Sequence, residues 1–177
     1  MRLARWINAF TALALLAFVA PALASGGDVK ASAPSGFTVI ALVTTDQDWL
    51  RKWNTPTPGV ALNGTDTLRP GQKATLVVSF SNARSSGGRT ELYCDVSVRH
   101  SVDQKQNQSM GPTLCYDGPA VPPNLIALTN LQINIQGNSG SDPAETVRFD
   151  IRVTDKNGGG RVPVSLVIRF VSAGSRI

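Results

Sequence analysis

The sequence predicts an all-β chain, and three observations carry that prediction. Apolar and polar residues alternate through several stretches, runs rich in Gly, Ser, Asn and Pro separate them, and only one short segment has helical spacing. With 16 Gly and 11 Pro in 177 residues, turn signals recur often enough to keep each strand short.

Arg2 and Arg5 precede an apolar run over 9–19, and Ala22, Leu23 and Ala24 close it. That pattern reads as a cleaved signal peptide over 1–24. The run is only about half the roughly 20 apolar residues that cross a bilayer, so no integral membrane anchor is expected in the mature form. No Cys follows the run to carry a lipid anchor. Residues 25–35 are mostly Gly, Ser, Ala and Pro without periodicity, and read as a flexible leader. The remainder, 36–177, has the size of one domain.

The domain opens on an apolar, β-branched run over 36–44, expected as a strand buried on both faces. Thr45, Asp46 and Asp48 then suit a helix N-terminus. Trp49, Leu50 and Trp53 share one helical face, and Asn54, Pro56 and Pro58 end the helix within two turns. Clean alternation follows three times: Ala74, Leu76, Val78 and Phe80, broken by Val77; Leu92, Cys94, Val96 and Val98; Val147, Phe149, Ile151 and Val153. Period-two patterning with one polar face marks half-buried antiparallel strands.

Val162, Val164, Leu166, Ile168 and Phe170 repeat the pattern after the turn over 155–160. Setting Thr154 opposite Arg161 places Ile151 opposite Val164 and Phe149 opposite Leu166, so both apolar sets fall on one side. A slip of one residue would turn one set to water. Pro163 then lies outward, where a ladder-free position would accept it. Further strands are expected over 124–128 and 130–136, with 60–68 and the surroundings of Cys115 as additional candidates. About seven to nine strands of this kind give a single immunoglobulin-like antiparallel β-sandwich with one short helix, a barrel being the alternative.

Cys94 and Cys115 are the only cysteines and, in an exported chain, form a disulfide. Closing a loop of about 20 residues is worth roughly 3 kcal/mol in the chain-entropy picture. The short spacing argues against the antibody topology, whose bridged strands lie further apart in sequence.

Catalytic chemistry is poorly provided for. His100 is the single histidine, no Gly-x-Ser-x-Gly is present, and a zinc or copper site needs several converging ligands. His100 ends its strand in phase with the inward set and reads as a hydrogen-bonded rim residue. Asp46 and Asp48 suit the helix dipole better than a catalytic pair, and Asn138 and Asp142 match no calcium-loop spacing. No enzyme activity, cofactor or metal is therefore expected. Removing Arg2 and Arg5 takes the net charge from +5 to +3, and Lys and Arg are scattered, so nucleic acid is not an expected partner.

Two surfaces stand out for binding. Trp49 and Trp53 either plug one end of the core or form an aromatic platform for sugar rings. Arg148 and Arg152 flank Asp150 on the outward face, with Arg169 across from Thr146, a solvated face or a docking surface for an acidic partner. Polar loops over 101–110 and 115–123 are the candidate recognition loops.

The order of the segment over 45–56 (TDQDWLRKWNTP), the turn at Arg69, Pro70, Gly71 and Gln72, and Asp142 and Pro143 leading into 149–155 (FDIRVTD) resembles a family of uncharacterised exported proteobacterial proteins with immunoglobulin-like sandwiches. That resemblance implies export and fold, and brings no activity. The chain is thus read as a periplasmic or secreted, non-enzymatic binding or accessory module acting through an envelope protein partner. A carbohydrate-binding module using Trp49 and Trp53, or a pilus-type subunit, are the alternatives; the strong C-terminal hairpin argues for a self-completed fold.

Overall fold

Nine strands in two packed sheets form the protein in a computed structural model that describes residues 27–54, 62–137 and 145–171. The expected signal peptide lies outside the described residues, as do Pro56, Pro58, Asn138 and Asp142. In chain order the elements are β1 (Asp28–Ser32), β2 (Thr38–Thr44), α1 (Trp49–Trp53), β3 (Thr67–Leu68), β4 (Lys73–Ser81), β5 (Arg89–His100), β6 (Gln108–Pro119), β7 (Ala127–Gln136), β8 (Thr146–Asp155) and β9 (Gly160–Phe170). One sheet runs β1-β2-β4-β7 and the other β3-β9-β8-β5-β6. Every pairing is antiparallel except β3 with β9, which is parallel.

Alternation decides which residues fill the space between the sheets. Val39, Ala41 and Val43 of β2, and Leu76, Val78 and Phe80 of β4, are fully buried from one side. Leu92 and Cys94 of β5, Phe149, Ile151 and Val153 of β8, and Val162, Val164 and Ile168 of β9 meet them from the other. The C-terminal hairpin has the expected register: Thr154 opposite Arg161, Ile151 opposite Val164, Phe149 opposite Leu166. On its far side β9 pairs only at Arg169 and Phe170, so among the described residues Pro163 has no second ladder from which to withhold an N–H.

The expected leader is corrected by the structure. Asp28–Ser32 forms β1, pairing with β2 from Asp28 opposite Leu42 to Ser32 opposite Thr38 and burying Val29. Five residues whose apolar side chains are Val29 and the small Ala31 are too short to show a period, and small flanking residues hid the strand. Gly27 just before it has φ +82°, and a Cβ there would stand 2.2 Å from the backbone nitrogen of Thr65.

Three further segments differ from expectation. The strands expected over 124–128 and 130–136 are one strand, β7, and Asn124 has φ +66°, a turn conformation. Of the run over 60–68, the described residues from 62 on contribute the two-residue β3 and a single bridge from Gly64 to Thr44. Of the expected loop over 101–110, the part over 101–107 is a connection with a short 3₁₀ turn, Gln104–Gln106, and β6 takes its last three residues and the first five of the loop expected over 115–123, so that the surroundings of Cys115 form a strand as the alternative reading had it.

Candidate functional site

β6 is the outermost strand of its sheet, and its seven residues from Gln108 to Leu114 are all exposed. One side of it is paired to β5, and the ladder is irregular, with register shifts between Leu92 and Tyr93 and between Cys94 and Val96. From Gln108 to Tyr116 it carries no charged side chain. Met110 and Leu114 are 42% and 46% exposed, unusual for apolar side chains in a strand. An edge strand presents a row of unpaired backbone donors and acceptors, and long neutral edges are what folded proteins normally blunt with charge. Here Gly111 and Pro112, within the second irregularity, are the only local interruptions.

Two contacts fix this strand to the core. Cys94 and Cys115 form the expected disulfide, both buried, and the bond fits an oxidising, non-cytoplasmic location. The Tyr116 ring meets Phe80 of the opposite sheet edge-on, centroids 4.8 Å apart, while its hydroxyl donates to the Pro119 carbonyl at 3.0 Å. The C-terminal half of β6 is anchored and its N-terminal half is carried out into solvent.

The outer face of the same sheet holds the sequence-predicted arginines. Arg148 Nε donates to Asp150 at 2.8 Å, the Ser165 hydroxyl donates to the same carboxylate at 2.6 Å, and Arg99 Nε stands 3.7 Å from its other oxygen. Burial alone would raise the Asp150 pKa; the hydrogen bonds from Ser165 and Arg148, with the charges of Arg148 and Arg99, outweigh it and hold the carboxyl below the usual range. Arg152 is exposed and lies opposite Asp95 in the ladder. Arg169 is not part of this group: its guanidinium pairs with Asp66 beside β3. Arg99, absent from the sequence-predicted set, belongs to it, because the pairing of β5 with β8 puts Arg99 directly opposite Arg148.

The two tryptophans separate. Trp49 is 7% exposed, whereas Trp53 is half-buried and lines an outer-face groove of about 330 Å³ with Ile40, Leu42, Leu62, Val77 and Leu128. No two-ring platform forms, because of the two rings only Trp53 lines the groove, and Trp49, though buried, does not belong to the core between the sheets. The break at Val77 in the alternation of β4 was the signal of this apolar outer face. Asp46 and Asp48 serve α1 as ion-pair partners: Asp46 holds Lys52 at 2.9 Å, and Asp48 pairs with Arg51. Asp46 also accepts from the Asn63 backbone N–H at 2.8 Å, and that bond, with the Lys52 ammonium, lowers its pKa.

His100 is a hydrogen-bonded rim residue. Its Nδ1 lies 3.0 Å from Glu145 Oε1, and its backbone N–H donates to Asn107 Oδ1 at 2.7 Å. The pair borders a recess of about 500 Å³ between the sheets, walled by Val98, Ile133, Ile135 and Phe149. Among the described residues, no three His, Cys, Asp or Glu side chains gather to hold a metal ion, and no helix is long and apolar enough to cross a membrane.

No protein-family model matches the chain, and no curated protein does. Among solved structures, the sporulation control protein Spo0M of Bacillus subtilis is similar to part of it, with a TM-score of 0.30 and 10% identity. The match covers 63% of this chain and 46% of Spo0M, so the chain spans about half the length of that protein. A likeness of that size supports no functional inference.

Proposed function

We propose that this protein is an exported, non-enzymatic binding or accessory module of the bacterial envelope, periplasmic or secreted, that engages a protein partner by strand addition at β6. The carrying observation is the neutral, exposed edge from Gln108 to Leu114. Backbone groups along such an edge supply affinity to an extended segment, and side chains beside it supply selectivity. The disulfide supports an oxidising compartment, and the resemblance to exported proteobacterial proteins supports export.

The test is retention of a partner from envelope extract by the tagged chain over 25–177. A Met110→Lys, Leu114→Lys variant is run alongside. Both positions are exposed, so the variant is expected to fold, while two charges on the edge discourage pairing. A partner held by the parent and lost by the variant is the expected result. Equal retention by both overturns β6 as the docking edge.

A further inference from the structure

The geometry points to a binding site for a small primary alkylammonium in the recess between the sheets that His100 and Glu145 border, a site independent of strand addition at β6. The recess exists because the two sheets part at this end. Alternation sends Val98 of β5 and Ile133 and Ile135 of β7 inward, yet all three are only half-buried. β6 does not cover them: its residues opposite Val96 and Val98 are Met110 and Gln108, both exposed. About 500 Å³ is left open, with Phe149 and Gln108 also in its lining. Apolar walls left in contact with water favour a ligand with an apolar body.

One acidic group faces this space. Among the described lining residues, Glu145 is the only carboxylate and none is Lys or Arg. The Glu145 and His100 side chains are 13% and 17% exposed, so the pair sits largely out of water. The surrounding backbone holds both in place. The Glu145 carbonyl accepts from the Phe170 N–H at 3.1 Å, and the Ser101 N–H donates to the Thr146 carbonyl at 2.9 Å. The His100 N–H is fixed by Asn107.

The hydrogen bonding of the pair is incomplete. A carboxylate can accept about four hydrogen bonds. Among the described residues, that of Glu145 has one side-chain donor, His100 Nδ1 at 3.0 Å. Because the carboxylate accepts, Nδ1 of the neutral imidazole carries the proton, and Nε2 is left as a second acceptor without a described partner. A largely desolvated carboxylate beside a bare ring nitrogen is a set of acceptors short of donors. An ammonium supplies three N–H donors and the opposite charge, while its alkyl chain covers Val98, Ile133 and Ile135. An alcohol of the same length brings one donor and no charge, and a fatty carboxylate brings charge of the wrong sign. Electrostatics therefore selects the amine, and the walls select its chain.

The test titrates hexylammonium, 1-hexanol and hexanoate into the folded, methyl-labelled chain over 25–177, followed by methyl NMR at pH 8, above the ordinary titration range of histidine. Hexylammonium is expected to bind about tenfold tighter than hexanol, a factor that one charge-assisted hydrogen bond supplies, and hexanoate more weakly than either. The shifts should centre on the methyls of Val98, Ile133 and Ile135. Glu145→Gln, checked by thermal melt, should bring hexylammonium to the level of hexanol and leave hexanol unchanged. Equal binding of hexylammonium and hexanol by the parent overturns the inference, as does an undiminished preference in Glu145→Gln. Shifts centred on Ile40, Leu42 and Leu128 of the Trp53 groove overturn the site. No shift with any of the three ligands overturns it as well. Should Glu145→Gln fail to fold, the parent's ranking of the three ligands and its map of shifted methyls decide the matter.

Discussion

The hairpins β8–β9 and β5–β6 lie in one sheet, share the β5–β8 ladder and differ in almost every other respect. In β8–β9 the inward side chains of both strands are buried and the register is unbroken over ten pairs. In β5–β6 the inward Leu92, Cys94 and Val96 of β5 are buried and Val98 only partly so, while β6 buries only Cys115 and its ladder shifts twice. Cooperative apolar packing holds the first hairpin. The second is held near one end by a covalent bond, one aromatic contact and the Arg89–Asp117 ion pair. Where packing does not fix a strand, its edge remains available for another chain.

The largest effect expected from breaking this comparison is in the packed hairpin. Phe149→Ala should destabilise by about 3–5 kcal/mol in chemical denaturation, since the ring is buried between the sheets and leaves a cavity. A loss near 1 kcal/mol would mean that the core collapses around the site. Next comes the disulfide: a Cys94→Ala, Cys115→Ala variant should lose about 3 kcal/mol in the chain-entropy model. Its amide exchange should quicken in β6 while β8–β9 stays protected, and uniform acceleration would show that the two hairpins open together.

The seam between them is Asp150, opposite Ser97 of β5 and Ser165 of β9. Its folded pKa is lowered, so the unfolded state takes up a proton more readily as pH falls. The stabilisation is therefore complete above the unfolded carboxyl value, about 3.9, and disappears as pH falls through the lower folded value. Asp150→Asn should cost about 1 kcal/mol at neutral pH, a partly exposed network being worth little more, and should flatten stability against pH in acid. A variant with an unchanged acid limb would separate the seam from acid stability. Smallest of all is Leu114→Ala in β6, expected to stay within about 0.5 kcal/mol because the side chain is already half in water. A larger loss in a thermal melt would reveal packing on β6.

What could be read from residues alone follows these differences. The β8–β9 register was legible because two long alternating sets could be matched in only one way. β1 was not legible, because a single buried Val29 among small and charged residues carries no period. β6 was only partly legible, for the opposite reason: with both faces of its first half in water, its start at Gln108 to Met110 reads as part of a loop, and only the surroundings of Cys115 suggest a strand. Arg148 and Arg152 could be placed outward from alternation, but Arg99 joins Arg148 only through the pairing of β5 with β8, which spans 49 residues of sequence. His100 could be placed at a rim, yet its partner Glu145 follows from the same long-range pairing. Trp49 and Trp53, alike in sequence, are separated by the way α1 lies against the sheet.

By itself, the sequence determined the all-β class, the inward and outward faces of β4, β5, β8 and β9, the C-terminal register and the disulfide, because period-two alternation and a lone cysteine pair are local signals. Only the tertiary structure decided strand order, the open edge at β6 and the joining of Arg99, Arg148 and Asp150. Alternation records which side of a strand meets the core; which neighbour completes its ladder depends on contacts between residues far apart in the chain, and no local pattern encodes those.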